Sequence, residues 1–229
     1  ILRIRKGSAA SKFSATQVRT LEFNDLADYV NESSYTVNKT ALSDGGWALV
    51  DEQSQALLNK LQAVGKPLGD YVEGKIYRGV LTGLMEAFVV DAETRKHLIK
   101  EDSKSAELIK PFLIGRDVKR FEKASSNKFL IFTRRGVDIK KYPAIERHLS
   151  SFKKELTPKP EGSKGSDAPG RKPGSYKWYD IQDPVNYYEE FEKPKIIYAE
   201  IATRGQFTLD TDNYYSETTT YIIPLDSKY

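Results

Sequence analysis

The chain has 229 residues, 39% hydrophobic and 11% aromatic, which is enough to bury the core of one large domain or two small ones and too much for a disordered tail. Charged residues make up 30% and no apolar run reaches the roughly eighteen residues of a spanning helix, while the start (Arg3, Arg5, Lys6) lacks the apolar stretch of a signal peptide. The absence of cysteine excludes disulfides, thiolate metal sites and cysteine nucleophiles, and two histidines, His97 and His148, are too few for a histidine-rich metal cage.

Residues 1–50 alternate short apolar clusters (Val18, Leu21, Phe23, Leu26, Tyr29, Val30) with polar stretches and read as a connector, with a turn at Gly45-Gly46 before Trp47. Asp51 predicts a helix cap, the spacing of Ala56, Leu57, Leu58, Leu61 and Val64 predicts the helix, and Gly65-Lys66-Pro67 ends it. Lys75–Leu81 and Glu86–Val90 predict a hairpin around Thr82-Gly83, and Asp91 caps a helix near 92–100. A short helix from Ser103 is expected to stop at Lys110 before Pro111, followed by the loop Gly115-Arg116-Asp117. Lys128–Thr133 reads as a buried strand delivering Arg134-Arg135-Gly136, and Pro143 opens a helix with Ile145, Leu149, Phe152 and Leu156 on its apolar stripe.

Residues 157–175 are so rich in Pro, Gly, Ser and charge that they predict a long mobile loop. Asp183-Pro184 starts a short helix with Val185, Tyr188 and Phe191 inward, and Lys195–Ala202 is a strand. Gln206–Leu209 and Thr218–Ile223 flank the Asp212-Asn213 turn and complete an antiparallel set. Helices interspersed with antiparallel strands give an α+β fold built on a mostly antiparallel sheet, with a boundary expected between a connector over 1–70 and a domain over 71–229. With Ile1 in place of an initiator Met, the sequence reads as a piece of a longer protein.

The net charge of +4 conceals an asymmetry: residues 110–178 carry 18 Lys/Arg against 7 Asp/Glu, and the remainder 18 against 25. A basic segment beside an acidic remainder is the footprint of a polyanion partner, since Lys and Arg that neutralise phosphates release condensed counterions; a solvated lysine-rich surface gives the same pattern.

Catalytic equipment is sparse. Gly162, Gly165, Gly170 and Gly174 lie in the Pro/Gly/Ser-rich segment and not at a helix start, so no phosphate-cradling loop is present. Asp-x-Lys recurs at Asp117/Lys119, Asp138/Lys140 and Asp226/Lys228 with no partner acid on a preceding strand; a metal-dependent nuclease site on Asp117 or Asp138 is therefore the weaker alternative. Glu189, Glu190 and Glu192 read as a solvated helix face, and His97 and His148 as surface residues near helix ends. What remains suits binding. Arg78 and Thr82 beside the predicted turn, Arg116, Lys119 and Arg120 in a loop, Arg134 and Arg135 after a strand, Lys177 and Tyr179 in a cation–aromatic run around Trp178, and Arg204 after another strand can all reach a groove. Trp178 itself is expected to pack into the core. A third reading is a protein-interaction domain for acidic partners.

Several segments carry a resemblance: Lys75-Ile-Tyr-Arg-Gly-Val-Leu-Thr-Gly, then Glu86-Ala-Phe-Val-Val-Asp, Lys110-Pro-Phe-Leu-Ile-Gly-Arg-Asp-Val-Lys-Arg, Lys141-Tyr-Pro-Ala-Ile, Lys177-Trp-Tyr-Asp-Ile-Gln-Asp-Pro, Phe191-Glu-Lys-Pro-Lys-Ile-Ile-Tyr-Ala-Glu-Ile and Thr220-Tyr-Ile-Ile-Pro. In this order, over about residues 70–225, the chain resembles the TaqI-like C-terminal specificity domain of N6-adenine methyltransferases and type IIG restriction-modification enzymes. The resemblance implies a target recognition domain in a bacterial or archaeal cytoplasm, reading duplex DNA beside an upstream methyltransferase domain of the same polypeptide. That domain, absent from this chain, would use S-adenosylmethionine, with magnesium where the parent enzyme also cuts. No cofactor, metal site or catalytic residue is expected in the chain itself. Met85 departs from the polar Asn usual in the family, and Arg116, Asp117, Lys119 and Arg120 form a segment matching it.

Overall fold

The computed structural model describes residues 10–44, 46–47, 49–163 and 169–225. The basic start at Arg3, Arg5 and Lys6, the first glycine of the Gly45-Gly46 turn, Gly165 and the Asp226/Lys228 pair lie outside the described residues. The chain divides into two compact units, residues 1–71 and 72–229.

The first unit is more ordered than a connector. Strand β1 (Lys12–Thr16) pairs antiparallel with β2 (Ser34–Asn38), Phe13 opposite Val37, and helix α1 (Leu26–Ser33) joins them. Leu26, Tyr29 and Val30 sit at the i, i+3, i+4 positions of a helix, a spacing hidden in so short a segment, and Asp25 caps it by accepting from the Ala27 and Asp28 amides at 2.7 and 3.0 Å. A two-residue ladder, β3 (Leu42–Ser43) with β4 (Gly46–Trp47), precedes α2 (Glu52–Val64) and α3 (Leu68–Tyr71). As expected, Asp51 caps α2 by accepting from Gln53 and Ser54, and Gly65 closes it with its amide on the Leu61 carbonyl at 2.7 Å. The apolar stripe of α2 stays exposed, Leu57 at 59% and Leu61 at 57%.

The second unit holds two four-stranded sheets. Its elements are β5 (Tyr77–Arg78), α4 (Met85–Phe88), β6 (Val89–Asp91), α5 (Ala92–Glu101), β7 (Ile109–Leu113), β8 (Lys128–Ile131), α6 (Pro143–Ser150), α7 (Lys153–Leu156), β9 (Lys195–Ala199), β10 (Phe207–Asp210), β11 (Tyr215–Ser216) and β12 (Thr220–Pro224). Short 3-10 turns at Ser103–Glu107, Gly115–Asp117, Ile139–Lys141 and Tyr188–Glu192 connect them. One sheet is antiparallel in the order β10-β9-β12-β5; the other runs β11-β7-β8-β6, with β11 parallel to β7. The α+β class stands.

Several local expectations give way to long-range pairing. The hairpin expected around Thr82-Gly83 does not form: β5 pairs with β12, β6 pairs with β8, and a turn of helix separates them. The helix expected from Ser103 is a 3-10 turn, and Pro111 lies inside β7. The Phe132 amide donates to the Leu108 carbonyl, so the alternation of the ladder leaves Pro111 at a non-hydrogen-bonded position opposite Phe129, where its missing N–H breaks no bond to β8. Strands β10 and β12 both flank β9 instead of pairing with each other, and the helix expected from Asp183 begins only at Tyr188.

The core is one cluster drawn from both sheets and from α5, α6 and α7. Phe112, Leu130, Ile145, Leu149, Leu156 and Ile197 are fully buried, and Phe191 stacks on Tyr215 with ring centroids 4.8 Å apart, an aromatic pair worth about 0.5–1.5 kcal/mol beyond its buried area. His148 belongs to this inner side and not to the surface: its Nε2 lies 3.0 Å from the Ala87 carbonyl, and burial pushes its pKa down.

The sheets are joined between Ser216 and Thr220. The Val80 amide donates to Ser216 O at 2.7 Å, Thr218 N to Val80 O at 3.1 Å, Glu217 N to Leu113 O at 2.9 Å, and the Thr220 hydroxyl to Ser216 Oγ at 2.7 Å, both of these side chains fully buried.

The segment 157–175, expected to be a mobile loop, is anchored on both sides of the undescribed residues 164–168. Pro158 bridges Arg171, and Arg171 is 4% exposed. Its five N–H groups reach five main-chain carbonyls: Nε to Leu156 (2.8 Å), one terminal nitrogen to Thr82 (2.9 Å) and Asp180 (2.7 Å), the other to Lys177 (3.4 Å) and Trp178 (2.9 Å). Desolvation pushes its pKa down to about 10. Gly83, at φ +81°, makes room for it: a Cβ there would stand 2.7 Å from Arg171 Cδ.

Candidate nucleic-acid interface

Contacts place the candidate residues in two neighbourhoods. The first is built on the end of β8. The Thr133 carbonyl accepts from the Ile181 amide at 2.9 Å and the Thr133 hydroxyl donates to Tyr179 O, which fastens residues 179–183 to the strand end. Arg135 reinforces that joint by donating to the carbonyls of Ile181, Gln182 and Asp183. Arg134 turns the other way. Its guanidinium lies 4.2 Å from the centroid of the Tyr188 ring and donates to the Tyr188 hydroxyl at 3.3 Å and to Arg135 O at 3.2 Å.

Beside Arg134 opens a cavity of about 380 Å³, lined among others by Lys110, Lys141, Tyr142, Tyr188 and Glu192. Glu192 pairs with Lys110 at 2.8 Å and is held below the usual carboxylate range by it, while the Tyr142 hydroxyl donates to Glu107 at 2.8 Å and its pKa rises for that reason. Burial pushes the Tyr215 phenol up as well. Tyr142 and Tyr215 are therefore held neutral as hydrogen-bonding groups at this opening, and Lys141 has no carboxylate within ion-pair distance among the described residues.

The same region continues through Val137, whose carbonyl accepts from Tyr179. Lys177 is exposed and its Nζ lies 5.4 Å from the Tyr179 ring; Lys153 lies 5.2 Å from the Trp178 ring. Trp178 is packed against the core as expected. Tyr179, at 8% exposed, and Thr82, at 3%, face the interior, so as side chains they hold the fold instead of presenting a surface.

The second neighbourhood lies at the end of the antiparallel sheet where β9 stops. Asp117 reaches back to accept from the Ile114 amide at 3.1 Å, Lys128 lies 3.6 Å from its carboxylate, and Val118 is buried; Arg116, Lys119 and Arg120 are left exposed. This turn presses on the sheet at Gly115, where a Cβ would meet the Thr219 hydroxyl at 2.9 Å. Lys119 pairs with Glu122 at 3.8 Å, and Arg116 and Arg120 have no carboxylate partner among the described residues. Arg78 donates through Nε to Thr218 O at 3.0 Å and lies 3.9 Å from Glu200; Arg204 is exposed in the turn between β9 and β10. Tyr187 links the neighbourhoods: its hydroxyl donates to Arg78 O at 2.9 Å, and the next residue is the platform of Arg134.

The carboxylates of the nuclease alternative are occupied locally. Asp117 holds Ile114, and Asp138 caps the 3-10 turn at Ile139–Lys141 through Lys140 N at 3.3 Å. No group of three His, Cys, Asp or Glu side chains able to hold a metal ion occurs among the described residues.

The model of the TaqI-like C-terminal specificity domain matches residues 110–229. The chain belongs to this family. The matched part of the TaqI-like specificity domain starts in β7, yet β5 and β6, upstream of it, are strands of the same two sheets. Comparison with curated proteins finds no match. Among solved structures the domain is similar to one described as the Type IIL restriction-modification enzyme MmeI in complex with DNA, at 13% identity and a TM-score of 0.43, over 67% of this chain and 19% of that one. The chain thus spans about a fifth of that enzyme's length.

Sequence reasoning missed Arg171, Lys110, Lys141 and Tyr188. Lys110 reads as the end of a short helix and the start of a family segment, Lys141 only as the start of one, and Tyr188 as an inward helix position. Arg171 gave no signal, because bonds to main-chain carbonyls impose no residue type on their partners.

Proposed function

We propose that this chain is the duplex-DNA recognition module of a type IIG restriction-modification enzyme. It holds the double helix while an upstream methyltransferase domain of the same polypeptide methylates adenine N6 with S-adenosylmethionine; magnesium serves parents that also cut. The setting is cytoplasmic. Among the described residues no helix is long and apolar enough to cross a membrane. Family membership supports the reading, and the observation that carries it is Arg134: a guanidinium laid on the Tyr188 ring, beside a cavity that the exposed Lys141 also lines, with donors left over for a ligand. Arginine is the side chain best matched to the O6/N7 edge of guanine, and lysines nearby suit the phosphates.

The test is duplex binding by the chain across a salt series. Affinity is expected to fall with a slope in log K against log salt of about −0.9 for each phosphate neutralised. Absence of binding at low salt overturns the reading, and magnesium-dependent cutting by the chain alone would replace it with the nuclease alternative.

A further inference from the structure

Phe121 does none of the packing done by the other large aromatics of the second unit. It is 79% exposed, whereas Phe88, Phe112, Phe191 and Tyr215 are fully buried. Its φ is +60°, the left-handed region that favours glycine. Two bonds impose that conformation: the Phe121 amide donates to Phe207 O at 3.1 Å, and the Thr208 hydroxyl donates to Glu122 O. The loop is pinned to the edge of β10, and the ring is held out from it.

The strand beneath it is inverted. Along β10 the polar Thr208 and Asp210 point inward, Asp210 to a fully buried ion pair with Lys195, while Phe207 and Leu209 point outward at 40% and 55% exposed. With Ile196 and Phe121 they line a shallow apolar cavity of about 480 Å³. Phe207, Tyr198 and Tyr221 form a row of rings across the sheet, with centroids 5.5 and 5.6 Å apart, and Arg78 is the next residue in register. Cations border the apolar part. The Arg120 guanidinium lies 4.9 Å from the Phe121 centroid, and Arg116 and Arg120 have no carboxylate partner among the described residues; Lys119 and Lys123 are paired with Glu122 and Asp212.

A flat apolar ring on a constrained backbone, bordered by the unpaired Arg120 guanidinium and preceded on the same loop by that of Arg116, matches a surface that is itself flat, apolar and edged with negative charge, which is a nucleobase beside its phosphates. Resting on the DNA reading above, we infer that Phe121 is a base-stacking wedge: it lies against a base step of the bound duplex while Arg116 and Arg120 hold the adjoining phosphates. A protein partner filling the same cavity would leave those guanidiniums without a counterpart.

The test uses the full chain and a short labelled mixed-sequence duplex over a salt series. Phe121→Ala and Phe121→Gly are expected to lose about tenfold in affinity with an unchanged salt slope, because a ring neutralises no phosphate. The Arg116→Ala/Arg120→Ala pair is expected to flatten the slope instead. Phe121→Gly separates contact from folding, since glycine accepts φ +60° without strain and its melting temperature is expected to match or exceed that of the parent chain. If both Phe121 variants bind as tightly as the parent while the arginine pair weakens binding, the wedge is refuted and the DNA reading survives. A parent chain that binds no duplex at low salt refutes the DNA reading itself. Self-association abolished by Phe121→Ala with DNA affinity intact assigns the patch to a second copy and overturns the proposal.

Discussion

Arg171 shows how much one side chain can decide. Removing a guanidinium bound to five carbonyls takes the donor from those of Leu156, Trp178 and Asp180, while Thr82 and Lys177 keep the amides of Gln182 and Asp180; each orphaned buried acceptor costs about 1–3 kcal/mol before relaxation. Arg171→Met is therefore expected to destabilise the second unit by roughly 3–5 kcal/mol in urea unfolding, and Arg171→Lys to recover little, because an ammonium cannot present the planar fork. Adjacent Arg134 and Arg135 separate by the same logic. Arg135→Ala is expected to lower the melting temperature with DNA preference kept, whereas Arg134→Ala is expected to cost about 1–3 kcal/mol of binding and relax preference at one base pair, read by selection from a random duplex pool. Equal losses of stability for the two would contradict that division. His148 sets an acid limb. Its folded pKa lies below the ordinary 6.5, so the unfolded chain binds the proton more tightly; the stability it contributes is whole above about pH 6.5 and is lost as pH falls toward the folded value. A melting series in which His148→Gln flattens that limb confirms the assignment. Nothing in the sequence separated Arg134 from Arg135 or marked Arg171 and the buried side of His148, since burial and bonds to carbonyls depend on partners distant along the chain.

Elements defined by local chemistry were legible, and those defined by distant partners were not. Asp51 and Asp91 cap helices as their positions indicate, and the apolar run ending in Arg134-Arg135 is a buried strand. The runs on either side of Thr82-Gly83 look like a hairpin because alternation and a turn residue are all that a hairpin needs; β5 instead pairs with β12 over two residues and β6 with β8 over three, partners the local sequence does not name. In β10 the outward apolar residues reverse the usual assignment of faces, so alternation identifies the strand without telling its inner side. The loop carrying Arg116, Lys119 and Arg120 is legible from Gly115-Arg116-Asp117, its charge and its family segment, and Asp117 and Val118 supply the reason it faces outward. Replacing its three cations by alanine is expected to reduce the magnitude of the salt slope by about 0.9 for each phosphate they neutralise, with weakening that is similar across sequences. Weakening confined to one preferred sequence would instead make one of them a base reader.

For the molecule as a whole, the charge asymmetry was readable and its distribution in space was not. The basic residues of 110–178 do not all face outward: Arg171 and Arg135 are drawn onto carbonyls and Lys110 onto Glu192, while Arg134, Lys141, Arg116, Arg120 and Lys177 are among those left to meet a partner. Nearly all the fully buried large side chains belong to residues 72–229, so a chain beginning at Val72 is expected to unfold in one cooperative transition by calorimetry; a broad, non-cooperative melt would show that the first unit completes its core. The passage from Ser216 to Thr220 has a further consequence. A few residues that serve as a strand of one sheet and lead directly into the other leave no hinge between the layers, and neither can melt or slide while its neighbour stays put. The basic loop and the arginine platform are thereby mounted on a single stiff frame with a fixed gauge, and a change of target sequence falls to the exchange of side chains on that frame.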